Sequence, residues 1–276
     1  LHWGVRRQRQ MCIRDRYNVG SIRTEITNPE TIFIRLTVNF DYNSTITNSS
    51  AADLEALVNT TINDYNNNNL KQFNSNFRYS ELLTLIDNTD QSIISNITTV
   101  QMAKNFTPTL NETTKYEINF ANAIYNPHTG HESVISSTGF KIEGNANELF
   151  LDDNDGTLRS YYLVGTTRTY VDLNFGTVNY DLGLITIPSA KITSISNVDG
   201  SESTTVRVVA IPRSSDIIPL RNTILEIDLS NSTIGSKVDT TISSSGSAAT
   251  TTSAAVTTAS TSSRYITTGA SSSSGY

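Results

Sequence analysis

The chain has 276 residues, a mass of 30.2 kDa and a formal charge of −6, enough for one large domain or two ordinary ones around a sizeable core. Charged residues make up only 17%, while Asn, Ser and Thr supply about 101 positions, so the surface is dressed in uncharged polar groups and the composition favours strands and turns over helices. The acidic pI of about 5.1 argues against a nucleic-acid footprint, the single Cys12 excludes a disulfide framework or a cysteine zinc cluster, and no apolar run reaches the roughly 18 residues that membrane insertion needs. No apolar signal-peptide core precedes a small-residue cleavage site, so the chain reads as soluble and unexported.

Residues 1–16 stand apart. They hold Arg6, Arg7, Arg9, Arg14 and Arg16 together with the only Trp and the only Cys. These arginines and Asp15 contribute +4 to a total of −6, which leaves −10 over residues 17–276. An Arg-rich nucleic-acid arm, a targeting peptide and non-native sequence are the competing readings. The string Met11 to Arg16 resembles translated sequencing adapter, so the segment is expected to be a non-native basic stub outside the fold.

From Thr31 to Phe40, Ile32, Ile34, Leu36, Val38 and Phe40 alternate with Arg35, Thr37 and Asn39, the pattern of a half-buried strand. The Asn28-Pro29 step disfavours helix before it, and the polar run Asn43–Ser50 closes it. Ser49 or Ser50 then caps a helix whose stripe is Leu54, Leu57, Val58, Ile62 and Tyr65, ending in Asn66–Asn69. Ser80 caps a shorter helix, with Leu82, Leu83 and Ile86 inward, that stops near Asn88. Ile93–Met102 and the run Tyr116, Ile118, Phe120 return to strand. An N-terminal α/β sandwich, strand-helix-helix-strand, is therefore expected over residues 17–125.

Residues 126–235 form a β-rich domain of short strands, which makes the chain α+β overall. The strands are Leu149–Leu151, Leu158–Val164, Tyr170–Phe175, Val178–Tyr180, Leu184–Ile187, Ile192–Ile195, Val206–Ile211 and Ile224–Leu229. Turns are expected at Asp152–Gly156 and Asp181–Gly183. Residues 236–276 are a low-complexity Ser/Thr tail with too little apolar area to offset ordering, and read as disordered. A mucin-like stalk is the alternative for that tail, and it needs export.

No catalytic, cofactor or metal site emerges from the residues. His128, His131 and Glu132 lie near one another, but Pro127 and Gly130 mark a turn, and the spacing does not place two ligands on one helix face. Asp152-Asp153-Asn154-Asp155-Gly156 resembles a calcium loop until the register is checked: with Gly156 sixth, Leu151 falls at the first ligand position and Tyr162 at the twelfth. There is no nucleophile elbow or phosphate-cradling loop, and histidine is scarce. Asp216, Glu226 and Asp228 are the acids that could converge, with exposed surface carboxylates as the default. The Asn-x-Ser/Thr triplets at Asn43, Asn59, Asn96, Asn111 and Asn231 follow from composition. Tyr161, Tyr162 and Tyr170 are either interface aromatics or sheet packing.

Ala51 to Val100, with a helix, a polar linker, Phe77-Arg78-Tyr79-Ser80-Glu81-Leu82 opening a second helix, and an Ile-Ser-Asn-Ile-Thr strand, resembles the C-terminal part of baseplate-J-like proteins. It resembles more closely the baseplate wedge subunit of T-even-type contractile-tailed bacteriophages. Leu158-Arg159-Ser160-Tyr161-Tyr162, Gly176-Thr177-Val178-Asn179-Tyr180 and Pro219 to Asp228 extend the likeness over roughly residues 17–230. The resemblance implies a virion structural protein of the tail baseplate, assembled in the host cytoplasm. It would form the wedge or inner ring by self-association, as a dimer within a ring, and by contacts with other wedge proteins, without enzymatic residues or cofactors. Rearrangement of such baseplates implies a pivot, placed at Asn105–Thr114 or Asn126–Gly130. Two rival readings remain: a β-rich fibre or surface adhesin that binds a host glycan, and a tail glycosidase with two acids about 5 to 9.5 Å apart.

Overall fold

The computed structural model describes residues 30–128, 132–197, 201–219 and 222–239. The basic stub and residues 240–276 lie outside the described residues. The described residues are mostly β with two α-helices. Strand β1 (Glu30–Tyr42) leads to α1 (Ala51–Asn69), α2 (Tyr79–Asp87) and β2 (Ile93–Phe106). Then come β3 (Thr113–Asn119), β4 (Ile135–Ser137), β5 (Phe140–Ile142), β6 (Phe150–Asn154), β7 (Thr157–Val164), β8 (Thr167–Asn179) and β9 (Leu184–Ile195). Strands β10 (Val206–Ala210), β11 (Thr223–Ile227) and β12 (Thr233–Val238) follow, with a 3-10 turn at Leu229–Asn231 before β12.

The alternation in β1 does what its period demands. Ile32, Ile34, Leu36, Val38 and Phe40 are buried while Thr37 and Asn39 stay exposed, because successive side chains leave opposite faces of a strand. The helices bring Leu54, Val58, Ile62 and Tyr65 from α1, and Leu82 and Ile86 from α2, into the same core. Leu57, expected in that stripe, is exposed, and Leu83 is half-buried. The inward face of α1 is narrower than its apolar content suggests.

Ser50 caps α1. Its hydroxyl accepts from the Asp53 N–H, and the Asp53 carboxylate accepts from the Ser50 N–H, a capping box. Hydrogen bonds from Ser50 hold the Asp53 carboxyl below its ordinary value. Helix α2 corrects the expectation for Ser80, which lies inside the helix. Arg78 occupies the cap position and its side chain makes no cap hydrogen bond. The free amide finds a remote acid instead: the Tyr79 N–H donates to Asp216 at 2.9 Å, and Arg78 donates to the same carboxylate at 3.0 Å.

The first sheet runs β11-β1-β2-β10-β4, with β12 also on β1. Strands β11 and β12 lie parallel to β1 and end to end along it, facing Glu30–Ile34 and Thr37–Tyr42 respectively. Ser236–Val238, expected to open the tail, continue β12 because their backbones pair with Phe40–Tyr42. The second sheet runs β3-β9-β8-β7-β6, with β5 on the far part of β9. Each sheet thus draws strands from both sides of residue 125. Asn105 pairs within β2, and Thr113 and Thr114 pair within β3. One hydrophobic cluster joins both sheets.

Two strands are longer than the sequence suggests. Strand β9 passes through Pro188 at a register irregularity opposite Thr114–Tyr116, a place where the missing N–H costs no ladder bond. Strand β8 passes through Gly176, where a Cβ would stand 2.4 Å from the Thr186 carbonyl oxygen. The expected turn at Asp152–Gly156 shrinks to Asp155-Gly156, both at positive φ, as a two-residue hairpin with that dipeptide prefers. Asp152 and Asp153 are instead buried inside β6.

Asp216→Ala should destabilise the chain by about 1 kcal/mol, the usual size of a lost cap, in denaturant unfolding near neutral pH. The Tyr79 N–H, then Arg78, hold this carboxyl below its ordinary value. Its contribution is therefore full above the unfolded carboxylate value of about 3.9 and is lost as pH falls through the lower folded value. The gap between wild type and variant should close in acid. Gly176→Ala should cost about 1–3 kcal/mol by overpacking against the Thr186 backbone, read as a lower melting temperature.

Candidate interaction surface

The residues singled out for chemistry do not assemble into a catalytic centre. Asp216 meets Arg78 at 3.0 Å, Glu226 meets Lys71 at 3.0 Å, and Asp228 meets Arg207, so the three acids turn to three separate cations. Burial pushes the Asp228 carboxyl up, but the Ser230 hydroxyl, Arg207 and Asn231 outweigh it and hold the group below its ordinary value. His128 and Glu132 are exposed, and His131 lies outside the described residues. Among the described residues no group of three or more His, Cys, Asp or Glu could hold a metal. No helix of the described residues is long and apolar enough to cross a membrane. Asn43 and Asn96, two of the triplet asparagines, spend their side chains locally: Asn43 accepts from Thr45, and Asn96 donates to Asp87 and to the Leu83 carbonyl.

What the structure does assemble is an arm and its anchor. Beyond Thr177–Asn179, β8 leaves β9 and continues against β7, which β6 backs as far as Tyr161, so that the outer part, residues 162–169, is a two-stranded hairpin. The tip is a two-residue turn with Gly165 at φ +63, the residue a type II′ turn needs at its first central position. Leu163, Val164, Val171 and Leu173 are exposed along it, Val164 at 60% and Leu173 at 57%. A lone two-stranded hairpin is marginal in water, so this one needs support from its base.

Asp152 supplies that support. Its side chain is 1% exposed. It accepts from Arg159 Nε and Arg168 Nη1, both at 2.9 Å, and from the Tyr170 hydroxyl at 3.0 Å. The guanidinium of Arg159 lies 4.4 Å from the centre of the Tyr170 ring, and that of Arg168 lies 5.0 Å from the Tyr161 ring. Tyr161 packs edge-on to Tyr170, with ring centres 5.9 Å apart. The sequence left these tyrosines between interface and packing, and the structure divides them. Tyr161 is buried, Tyr162 half-buried and Tyr170 exposed. Burial pushes the Tyr161 phenol above its ordinary value.

Asp153 points the other way. It accepts from the Val134 and Ile135 N–H groups, both at 2.8 Å, and from the Tyr180 hydroxyl at 2.7 Å. It thereby ties β6 of the second sheet to the start of β4 in the first. Leu151, on the same strand, donates to Ser137 Oγ. Burial pushes the Tyr180 phenol up, the Gly156 N–H opposes this and Asp153 reinforces it, so Tyr180 stays a donor through the physiological range. Sequence reading saw Asp152 and Asp153 only as turn acids. The apolar Leu151 and Leu158 flanking them were the available hint of a buried hairpin.

Residues 30–105, which run from β1 to the last turn of the β2 ladder, match the family described as baseplate structural protein gp6, C-terminal domain III. The chain is also 29% identical over 133 residues to baseplate wedge protein gp6 of Enterobacteria phage T4, an alignment that takes in 42% of this chain and 20% of that protein. The resemblance to a T-even-type wedge subunit read from the sequence is thus supported by both comparisons. The chain spans about a fifth of the length of the relative it matches.

Asp152→Ala should leave Arg159 and Arg168 without their acid. Because Arg168 is 46% exposed, water recovers part of the loss, and a cost of about 2–3 kcal/mol is expected, below the usual range for breaking a buried pair. Hydrogen exchange should quicken first in residues 162–170, ahead of β1 and β2.

Proposed function

We propose that this chain is a structural component of a contractile phage tail baseplate, a wedge protein that builds its ring by self-association and by contacts with other wedge proteins in the virion. The observation that carries this reading is the match of residues 30–105 to gp6 C-terminal domain III. The surfaces agree with it. The singled-out acids are each engaged by a cation, while apolar side chains stand exposed on a braced arm, an arrangement suited to cohesion and not to turnover. Uncharged polar groups at such contacts bond to a neighbour without the several kcal/mol per ion that desolvating charges costs. The chain needs no cofactor for this role, and neither nucleic acid nor a bilayer is a partner.

A ring requires self-complementary or head-to-tail surfaces whose rotation closes. The β7–β8 arm is assigned to one such contact, since Leu163, Val164, Val171 and Leu173 stand exposed along it. In sedimentation velocity the full chain should run heavier than its 30.2 kDa monomer, with Leu173→Asp shifting it toward monomer while its circular dichroism is unchanged. A strict monomer retained on immobilised sugar would overturn the reading in favour of a glycan-binding adhesin.

A further inference from the structure

The face of the first sheet opposite the helices carries a polar cavity at one end. It encloses about 320 Å³ and is lined by Arg35, Arg207, Asn105, Ser136, Thr205 and Glu202 among others. The two arginines are not equivalent. Arg207 is neutralised by Asp228, donates to Asn105 and lies 5.3 Å from the centre of the Phe33 ring. Arg35, half-buried, donates Nε to the neutral carbonyl of Asn231 at 3.1 Å, and no carboxylate of the described residues stands within ion-pair distance of it. Asp228, the nearest acid in sequence to that carbonyl, already serves Arg207, Ser230 and Asn231. The cavity therefore holds one positive charge without an ion pair among the described residues, with Glu202 on its lining as the acid that competes for it.

The surroundings fit a protein. Arg35 faces Gln101 across the strands, and the rows that follow are Thr37 with Thr99 and Asn39 with Ile97. Opposed residues share a sheet face. Thr37, Asn39, Thr99 and Ile97 are all exposed, Ile97 at 70%, and Thr233 of β12 joins the row beside Thr37. The rows from Thr37 to Asn39 are uncharged, with Ile97 as their large apolar side chain, and they lie between the charged row of Asp41 and Lys237 at one end and the Arg35 guanidinium in its recess at the other. Arginine in a recess is a common energetic centre of protein contacts, because its planar fork takes a carboxylate through two parallel bonds.

We propose that Arg35 and its cavity receive an Asp or Glu side chain presented by a neighbouring protein chain that lies across this sheet face. The proposal rests on the assembly reading above and names the chemistry of one contact. The probe is N-acetyl-glutamate amide, which carries the side-chain carboxylate alone, with N-acetyl-glutamine amide as the neutral twin and inorganic phosphate as the free-anion rival. Titrations follow the Nε–H resonance of Arg35 in the full chain. The carboxylate probe should shift that resonance saturably and the neutral twin should not. In calorimetric titrations of the carboxylate probe, Arg35→Gln should weaken binding at least about tenfold, the equivalent of 1.4 kcal/mol, at unchanged melting temperature. Glu202→Gln, which removes the competing acid, should tighten it. The proposal fails if the two probes act alike, if Glu202→Gln weakens binding, or if phosphate binds more tightly than the carboxylate, which would make the cavity a free-anion site. An assembled chain with an unresponsive Arg35 would sink this contact and leave the baseplate reading standing. A monomer would sink that reading alone.

Discussion

Two neighbouring carboxylates, Asp152 and Asp153, hold the second half of the molecule in register. Adjacent strand residues point to opposite faces, so the pair reaches in two directions at once. Asp152 gathers Arg159, Arg168 and Tyr170 and braces the arm, and Asp153 gathers two backbone N–H groups and Tyr180 and fastens one sheet to the other. A buried charge is tolerated only when its lone pairs are filled. Here the donors come from β4, β7, β8 and the end of β8's turn into β9, so the acids are satisfied only when the chain is folded in one way.

The same economy closes the rim of the first sheet. An open strand edge invites association with any other chain. Asn66, buried on α1, takes both backbone groups of Ile227, and the Lys71 N–H takes the Leu225 carbonyl, so β11 is sealed by the end of the helix and the loop after it. On β12, Glu55 of α1 accepts from the Ser236 N–H and hydroxyl. The β8 edge of the arm stays bare among the described residues, and there β8 is irregular against β7 on either side of Asp172. Irregular pairing discourages strand addition and leaves side chains as the means of contact. For a subunit that must join particular neighbours, sealed edges with exposed side chains are the selective arrangement.

Local signals in the sequence carried the local structure. The alternation in β1, the Ser50 cap, both helices and the Asp155-Gly156 hairpin follow from periods and turn chemistry within a dozen residues. What stayed hidden depends on partners far along the chain. Ser80 looked like a cap because serine is good at capping, and nothing local shows that Asp216 already holds the amide of Tyr79. Asp152 and Asp153 looked like turn residues because acids near glycine usually are, and their burial follows from Arg159, Arg168 and Tyr180, none of which is a sequence neighbour. Arg35 read as one polar residue on the outer face of a strand. Its setting is made by Asn231, 196 positions away.

That separation also sets an order of events during synthesis. β1 meets β2 by residue 106, but its opposite edge is completed only by β11 and β12, after the other described strands have been made. Non-local pairing of this kind is slow because loop entropy is lost before the contacts form. A newly made subunit therefore passes through a stage in which Glu30–Tyr42 is half-clothed and able to pair with a sister chain on the same message. β11 and β12 act as the closing step for this edge, and chains cut before residue 223 would leave Glu30–Tyr42 open to one another.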